Sequence, residues 1–514
     1  MADEEKEPDS VDSVLNGHKL NGKTSAIDVS WLPPFTTNTD QETTRYLSAA
    51  TQPDIVFAKR VVDRVVNEQF RALPPTHGVD VPTVAMWALK SVRTRAVRDY
   101  ALAFNLGVFI VFATMILIWP WFAVATVVPL IAAWLAVSWE HWECIHNVVI
   151  RKMLRNRFKL SDAPPPRLEP DRVRLQEIKK RKDGNLVVFS GHSAFIGAGL
   201  NAYQNRLILD VSRGKDDENG TPTKPKPFAT HDLHQALLAA FDHADGLGKN
   251  LSNINVYERL FVNGRHIQSN SQLLPDPYRP PPTSVNSVLL QSATVHPSPE
   301  ARTYVCVEMP GWQGQLVVTL FVRAVYAGGS LYVDWSFRVL PPLRQEFLRI
   351  DTFFEQPKRL QLRNSLGHGF RTALPALMKS PANAFSSFRA SRKARRRSIR
   401  QADAIRKGYV FDYGARSSIR EDACGMQRQH YFLARDEVMY ILLAEKTLTR
   451  TVRSFLDDHG VDLSEFETQI KIIFDNSINV GSIKNSDGVV IGNNSSATTV
   501  KEQPKGNNGR QAKE

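Results

Sequence analysis

The chain has 514 residues, 42% hydrophobic and 23% charged, and its 65 Lys plus Arg against 52 Asp plus Glu leave a net charge of +13. That composition excludes collagen-like, wholly disordered and polytopic-transporter classes, and at about 150 residues per domain the length suggests roughly three units. The three cysteines, Cys144, Cys306 and Cys424, have no paired spacing, which argues against a disulfide framework or a zinc ribbon and for a reducing compartment.

Residues 1–50 are rich in Asp, Glu, Ser, Asn and Thr and poor in aliphatics, the composition of a disordered N-terminal tail. Within it, Gly17-His18-Lys19-Leu20-Asn21-Gly22-Lys23-Thr24 fits the phosphate-loop pattern. That chemistry needs a buried strand before the loop and a helix after it. Asp9 to Asn16 is polar and Trp31-Leu32-Pro33-Pro34 ends any helix, so no nucleotide site is expected. Residues 51–100 read as a cytoplasmic helical segment. Ile55, Val62, Val65, Val66, Phe70 and Leu73 recur at helical spacing, and a second helix starts near Pro82 and runs on into the apolar stretch.

From Ala101 to Ser138 there is no charged residue. Such a run is about twice the roughly 20 residues of one span, so it predicts a transmembrane hairpin over 101–139. The spans are 101–119 and 122–139, folded about Trp119-Pro120-Trp121. Lys90, Arg93, Arg95 and Arg98 precede the hairpin, and Arg151, Lys152, Arg155, Arg157 and Lys159 follow it. Basic flanks stay on the cytoplasmic side, which predicts a two-span protein of the inner (plasma) membrane with both termini cytoplasmic and the bilayer as a partner. With residues 1–50 polar, the hairpin itself is expected to direct insertion.

A basic juxtamembrane linker, 140–184, leads to an α+β domain over 185–341. Its strands are expected at Asn185–Ser190, Arg206–Val211, Asn255–Val262, Thr303–Glu308, Gln315–Tyr326 and Leu331–Val339, with a helix near Asp232–His243. Turns at Pro310-Gly311 and Gly328-Gly329 make the last three strands an antiparallel meander. Residues 342–470 read as a helical region that contains a basic segment, Ala390–Arg406, and a long helix, 429–458, capped at Gly460. Arg392, Lys393, Arg395, Arg396, Arg397 and Arg400 are expected to contact anionic lipid, because tethering brings them to a negatively charged leaflet. No base-reading fold accompanies them, so no specific nucleic acid is expected.

Catalytic chemistry is not legible. Gly191-His192-Ser193-Ala194-Phe195 has the order of a nucleophile elbow, but Phe195 stands where the crowded turn needs glycine. His231/His234 and His141/Cys144/His146 have spacings a metal could use, yet surface, capping and interfacial roles are commoner, and no metal or cofactor is expected. The protein is therefore read as non-enzymatic. The alternative is a small-molecule-binding or hydrolytic pocket in 185–341 built from His192, Ser193, Asp210 or Glu308.

The Asn/Gly/Ser-rich tail, 471–514, carries a repeat: Ile478-Asn479-Val480-Gly481 and Val489-Val490-Ile491-Gly492, with Asn493 and Asn494 following. Alternate apolar positions, extended upstream through Ile472 and Phe474, suggest strands, and stacked copies would form Asn ladders. The two tetrads resemble the core of the RIP homotypic interaction motif and related bacterial and fungal amyloid signalling motifs: aliphatic, amide, aliphatic, glycine. Asn479 takes the amide position, and Val490 departs from it. The resemblance implies self-assembly through Ile478–Asn494, a homo-oligomer, and a partner protein with a similar C-terminal motif. The whole layout also resembles actinobacterial two-span membrane proteins. The expected fold is thus α+β with a two-helix transmembrane hairpin, an antiparallel sheet domain followed by helices, and a β-prone disordered tail. The expected function is a membrane-anchored cytoplasmic scaffold or signalling protein.

Overall fold

A computed structural model describes residues 41–180, 184–216, 222–242, 254–355, 357–425 and 431–478. The phosphate-loop match and Asn479–Asn494 lie outside the described residues.

The first element corrects an expectation. Residues 42–50, read as part of a disordered tail, form helix α1 (Glu42–Ala50), and all nine residues are buried. Their polar groups find partners far along the chain. Arg45, 1% exposed, donates to Glu42 at 2.6 Å and to Asp351 at 2.9 Å, and Thr44 accepts from the Asp80 amide. Composition alone cannot see such partners. Helix α2 (Ile55–Val61) begins at Asp54, whose carboxylate accepts from the amides of Val56 and Phe57. Helix α3 (Val81–Met115) begins at Asp80, with Pro82 in its first turn as the sequence suggests. After a turn through Trp119-Pro120-Trp121 come α4 (Phe122–Ala125) and α5 (Val127–His141). The segment expected as linker continues α5 as a wider π-turn, Trp142–Ile150. Two helices, Val81–Met115 and Phe122–Ile150, are therefore long and apolar enough to cross a membrane.

The base of α3 is sunk in a helical core. Phe57, Val84, Trp87, Val148, Met153, Leu175 of α6 (Glu169–Lys180), Leu343, Phe347 of α9 (Gln345–Leu348) and Ile419 of α11 (Ile419–Asp422) pack together there. A side chain as large as Trp87 at 1% exposure contributes on the order of 2–3 kcal/mol by burial.

All six expected strands form: β1 (Leu186–Phe189), β2 (Leu200–Asp210), β3 (Asn255–Asn263), β4 (Ala301–Gly311), β5 (Leu316–Ala327) and β6 (Ser330–Leu340). They make one sheet in the order β1-β3-β4-β5-β6-β2, with β4-β5-β6 the expected meander. The sheet is not wholly antiparallel, because β1 pairs parallel to β3. One face is apolar. Val305, Val307, Val318, Leu320, Val333, Trp335 and Phe337 meet Leu233 and Leu237 of α7 (Thr230–Asp242) and Ala444 and Leu448 of α12 (Tyr431–Asp458).

Both sheet edges are covered. At β1, the Ala415 amide donates to the Val188 carbonyl at 2.9 Å. At β2, Gln469 of α13 (Ser464–Ile478) donates to the Ile208 carbonyl at 2.7 Å and accepts from its amide at 3.3 Å, a side chain standing in for a strand. This corrects a second expectation: Ile472, Phe474 and Ile478 belong to a helix and not to a strand. Phe466, Ile470 and Ile473, at helical spacing, pack on the sheet and outweigh the period-two pattern. The remaining helices are α8 (Ser287–Val295) and the 49-residue α10 (Lys358–Arg406).

Candidate functional site

The most unusual surface lies where α3 and α5 leave the helical core. Two buried carboxylates, Asp99 and Glu140, sit between Arg95 and Arg98. Arg95 donates to Glu140 at 3.0 Å and to the carbonyls of Gln52 and Pro53, while Arg98 donates to Asp99 at 2.7 Å and to Glu140 at 3.3 Å. Lys90 and Glu143 pair at 2.8 Å one level nearer the core. Paired, multiply bonded charges of this kind can be buried, where single ones could not. They form an ionic collar at the neck of the hairpin, and beyond it no charge occurs until the chain returns.

Past the collar the helix surfaces are apolar and bare. Phe104 is 76% exposed, Leu117 89% and Trp121 83%. Inside the hairpin Asn105 donates to the Pro129 carbonyl at 2.6 Å, which satisfies both an amide side chain and a carbonyl near the proline.

Helix α10 crosses this neck. His141 lies 3.2 Å from Ser365, and Trp134 donates through Nε1 to the Leu366 carbonyl at 2.9 Å. Ala373 and Leu377 pack with Leu102, Ala133 and Val137. Gly369 permits this approach, since a Cβ there would collide with Ser138 Oγ and lie 3.0 Å from the Trp134 carbonyl oxygen. Further on, Arg397 reaches Asp63 at 3.3 Å and Ser398 reaches Gln69 at 3.1 Å. The helix holds thirteen Lys and Arg against one Asp, a net +12 beside the +13 of the entire chain.

Five of the six expected lipid-contact residues, Arg392, Lys393, Arg395, Arg396 and Arg400, are exposed. The sixth, Arg397, is partly taken up by Asp63, and the Arg392 guanidinium lies 4.7 Å from the centre of the Phe388 ring. Of the self-assembly residues, Ile478 ends α13, and Asn479, Val480, Gly481, Val489, Val490, Ile491, Gly492, Asn493 and Asn494 lie outside the described residues.

Residues considered for a pocket are not brought together. Register places Glu308 opposite Thr319 of β5, whereas Asp210 pairs with Ser330, itself opposite Ala327. Eight residues of strand, about 27 Å, separate the two levels. His192 and Ser193 are exposed in the turn after β1. Phe195 stacks on Phe321 at 4.1 Å with the Arg338 guanidinium 5.2 Å from its ring centre, so the elbow-like segment packs on a second apolar cluster, with Phe261, Tyr304 and Cys306, on the opposite sheet face. Gly197 and Gly199 there donate their amides to Glu421 at 2.8 and 2.9 Å. Glu308 is buried beneath, 2.8 Å from His77 and 2.9 Å from the Tyr257 hydroxyl. Burial pushes its carboxyl up, but His77, Tyr257 and Arg259 outweigh that and hold it down at about 2.

His234 is engaged by Glu258 at 2.7 Å, and Cys144 lies 3.6 Å from Glu140. His141 stacks on His368 at 4.1 Å. Among the described residues, no three His, Cys, Asp or Glu side chains converge where they could hold a metal ion.

A second buried carboxylate, Glu445 of α12, faces the apolar side of the sheet at 0% exposure. Trp335 donates to one of its oxygens at 3.2 Å, and the other has no hydrogen-bond partner among the described residues. Burial pushes this carboxyl up to about 7, against the opposing pull of Tyr203 and Trp335.

No match is found among curated proteins or solved structures. The AbeC-like domain matches residues 204–493, from β2 through α10 to beyond the end of α13, and leaves the apolar hairpin outside. Because that match takes in more than half of the 514 residues, the chain belongs to the AbeC-like domain family.

Proposed function

We propose that the protein is a membrane-anchored scaffold of the inner membrane, in which the α3–α5 hairpin spans the bilayer and holds the α+β body at the cytoplasmic face. The observation that carries this reading is the bare apolar surface between Leu102 and Leu135, where only 11% and 22% of the two most apolar windows are buried. An aqueous monomer rarely exposes so large a contiguous patch. The ionic collar supports the reading, since it places the last charges of both helices at one level. Arg392, Lys393, Arg395, Arg396 and Arg400 then meet anionic headgroups, each contributing about 1 kcal/mol near the surface. Self-association through Ile478–Asn494, and recruitment of a partner with a similar motif, would supply the signalling output.

Topology tests the anchor. A cysteine placed at Pro120 in a chain with Cys144, Cys306 and Cys424 replaced by Ser should react with a membrane-impermeant maleimide from outside the cell. Reporters fused to either end should act only in the cytoplasm. An external reporter signal from either end would contradict the orientation.

A further inference from the structure

Beside the collar an open groove of about 550 Å³ lies between α5 and the first turns of α10. Its walls include Trp134, Leu362 and Phe370, and Arg359, Arg363 and Arg371 line it as well. Among the described residues none of the three has a carboxylate within ion-pair distance, whereas the collar arginines are fully engaged. Three uncompensated guanidiniums over an apolar wall suit a ligand that is anionic at one end and hydrocarbon at the other.

The course of α10 says where that ligand comes from. Its ends touch segments outside the uncharged run, at His141 and at Asp63 and Gln69, while its middle packs on Leu102, Ala133 and Val137 inside it. From Thr372 to Phe388 the sole charged residue is Lys379. Leu374, Met378, Phe385 and Phe388 in this stretch, and Phe370 just before it, are all exposed. At 3.6 residues per turn they fall within one sector of about 80°, next to the sector that packs on the hairpin. The stretch is too short to span a bilayer and has the make-up of a helix lying in the interface, apolar at the centre and basic at both ends. This stripe is continuous with the bare surface of the hairpin.

We infer that the groove holds an anionic phospholipid of the cytoplasmic leaflet, its headgroup among Arg359, Arg363 and Arg371 and its acyl chain along Phe370, Leu374 and Met378. The inference rests on the membrane reading above, and the test separates the two.

Full-length protein is purified from membranes in neutral detergent, washed extensively, and its bound phospholipid quantified by mass spectrometry. The wild type should retain phosphatidylglycerol in preference to phosphatidylcholine. The triple variant Arg359→Gln, Arg363→Gln, Arg371→Gln should lose about tenfold of it, and Arg363→Gln alone severalfold. A charge-matched control on the sheet body, Arg206→Gln, Lys224→Gln, Arg265→Gln, should lose none. Millimolar inorganic phosphate should fail to displace the lipid. Equal retention by the triple variant, or complete displacement by inorganic phosphate, overturns the inference while leaving the anchor intact. A wild-type chain that never partitions into membranes overturns the anchor, and the groove proposal with it.

Discussion

Replacing Glu445 by Gln is expected to stabilise the folded chain by about 3 kcal/mol at pH 8 and to leave it unchanged at pH 4. The carboxyl is pushed up to about 7 from an ordinary value of 4.5 by burial, which outweighs the opposing pull of Tyr203 and Trp335. Below 4.5 the folded and unfolded chains both keep the proton, and Glu445 takes nothing from stability. Between 4.5 and 7 only the folded state keeps it, so stability falls as pH rises, at about 1.36 kcal/mol per pH unit. Above 7 the full difference is lost, because the core must then hold a carboxylate with one oxygen unpaired. Glutamine has the same shape, still accepts from Trp335, and does not titrate. Denaturant unfolding of the detergent-solubilised chain at pH 4, 6 and 8, wild type against Glu445→Gln, should give a difference that grows with pH. Parallel curves would contradict it. Glu308 does not enter this window, since its carboxyl is held at about 2 and its contribution is lost only as pH falls toward that value.

The second large effect belongs to the hairpin. Ile110 is 53% exposed and Leu130 39%, each near the middle of its apolar segment. In water, replacing either by Asp would change stability by no more than about 0.5 kcal/mol and would improve solubility. In lipid the same change costs about 3 kcal/mol per site. The double variant Ile110→Asp, Leu130→Asp should therefore lose membrane partitioning by several orders of magnitude, read by flotation with vesicles. A double variant that floats as well as the wild type would contradict the membrane reading.

Much of the architecture was readable from residue order. The six strands stood out because each is a run of β-branched or aromatic residues, and Pro82 marked the start of α3. The parallel pairing of β1 with β3 was not readable, since the partner of Leu186 is Leu260, far along the chain. Nor was the turn after β4. Pro310 and Gly311 remain in the strand, and the reversal is made by Trp312 and Gln313 at positive φ, which their residue types do not advertise.

Helix α10 shows most plainly what local pattern conceals. Its basic end, Ala390–Arg406, was visible as charge, but its full length was not, because Gly367, Gly369, Pro375 and Pro381 are locally unfavourable to a continuous helix. In the structure Gly369 admits Ser138, and the helix runs unbroken for 49 residues, held from outside by the hairpin. The groove arginines are hidden for the same reason: Arg359, Arg363 and Arg371 are spread along the sequence and line one groove only once that helix exists. The tail shows the reverse, because Ile472 and Phe474 fit a strand pattern locally, whereas Phe466 and Ile473 commit the segment to a helix on the sheet.

The central claim is that the surface between Leu102 and Leu135 is covered by lipid. Alkaline carbonate extraction of membranes from cells expressing the full chain tests it directly. The account predicts that the protein stays with the sedimented bilayer and is released only by detergent. Recovery of the folded chain in the aqueous supernatant would contradict it.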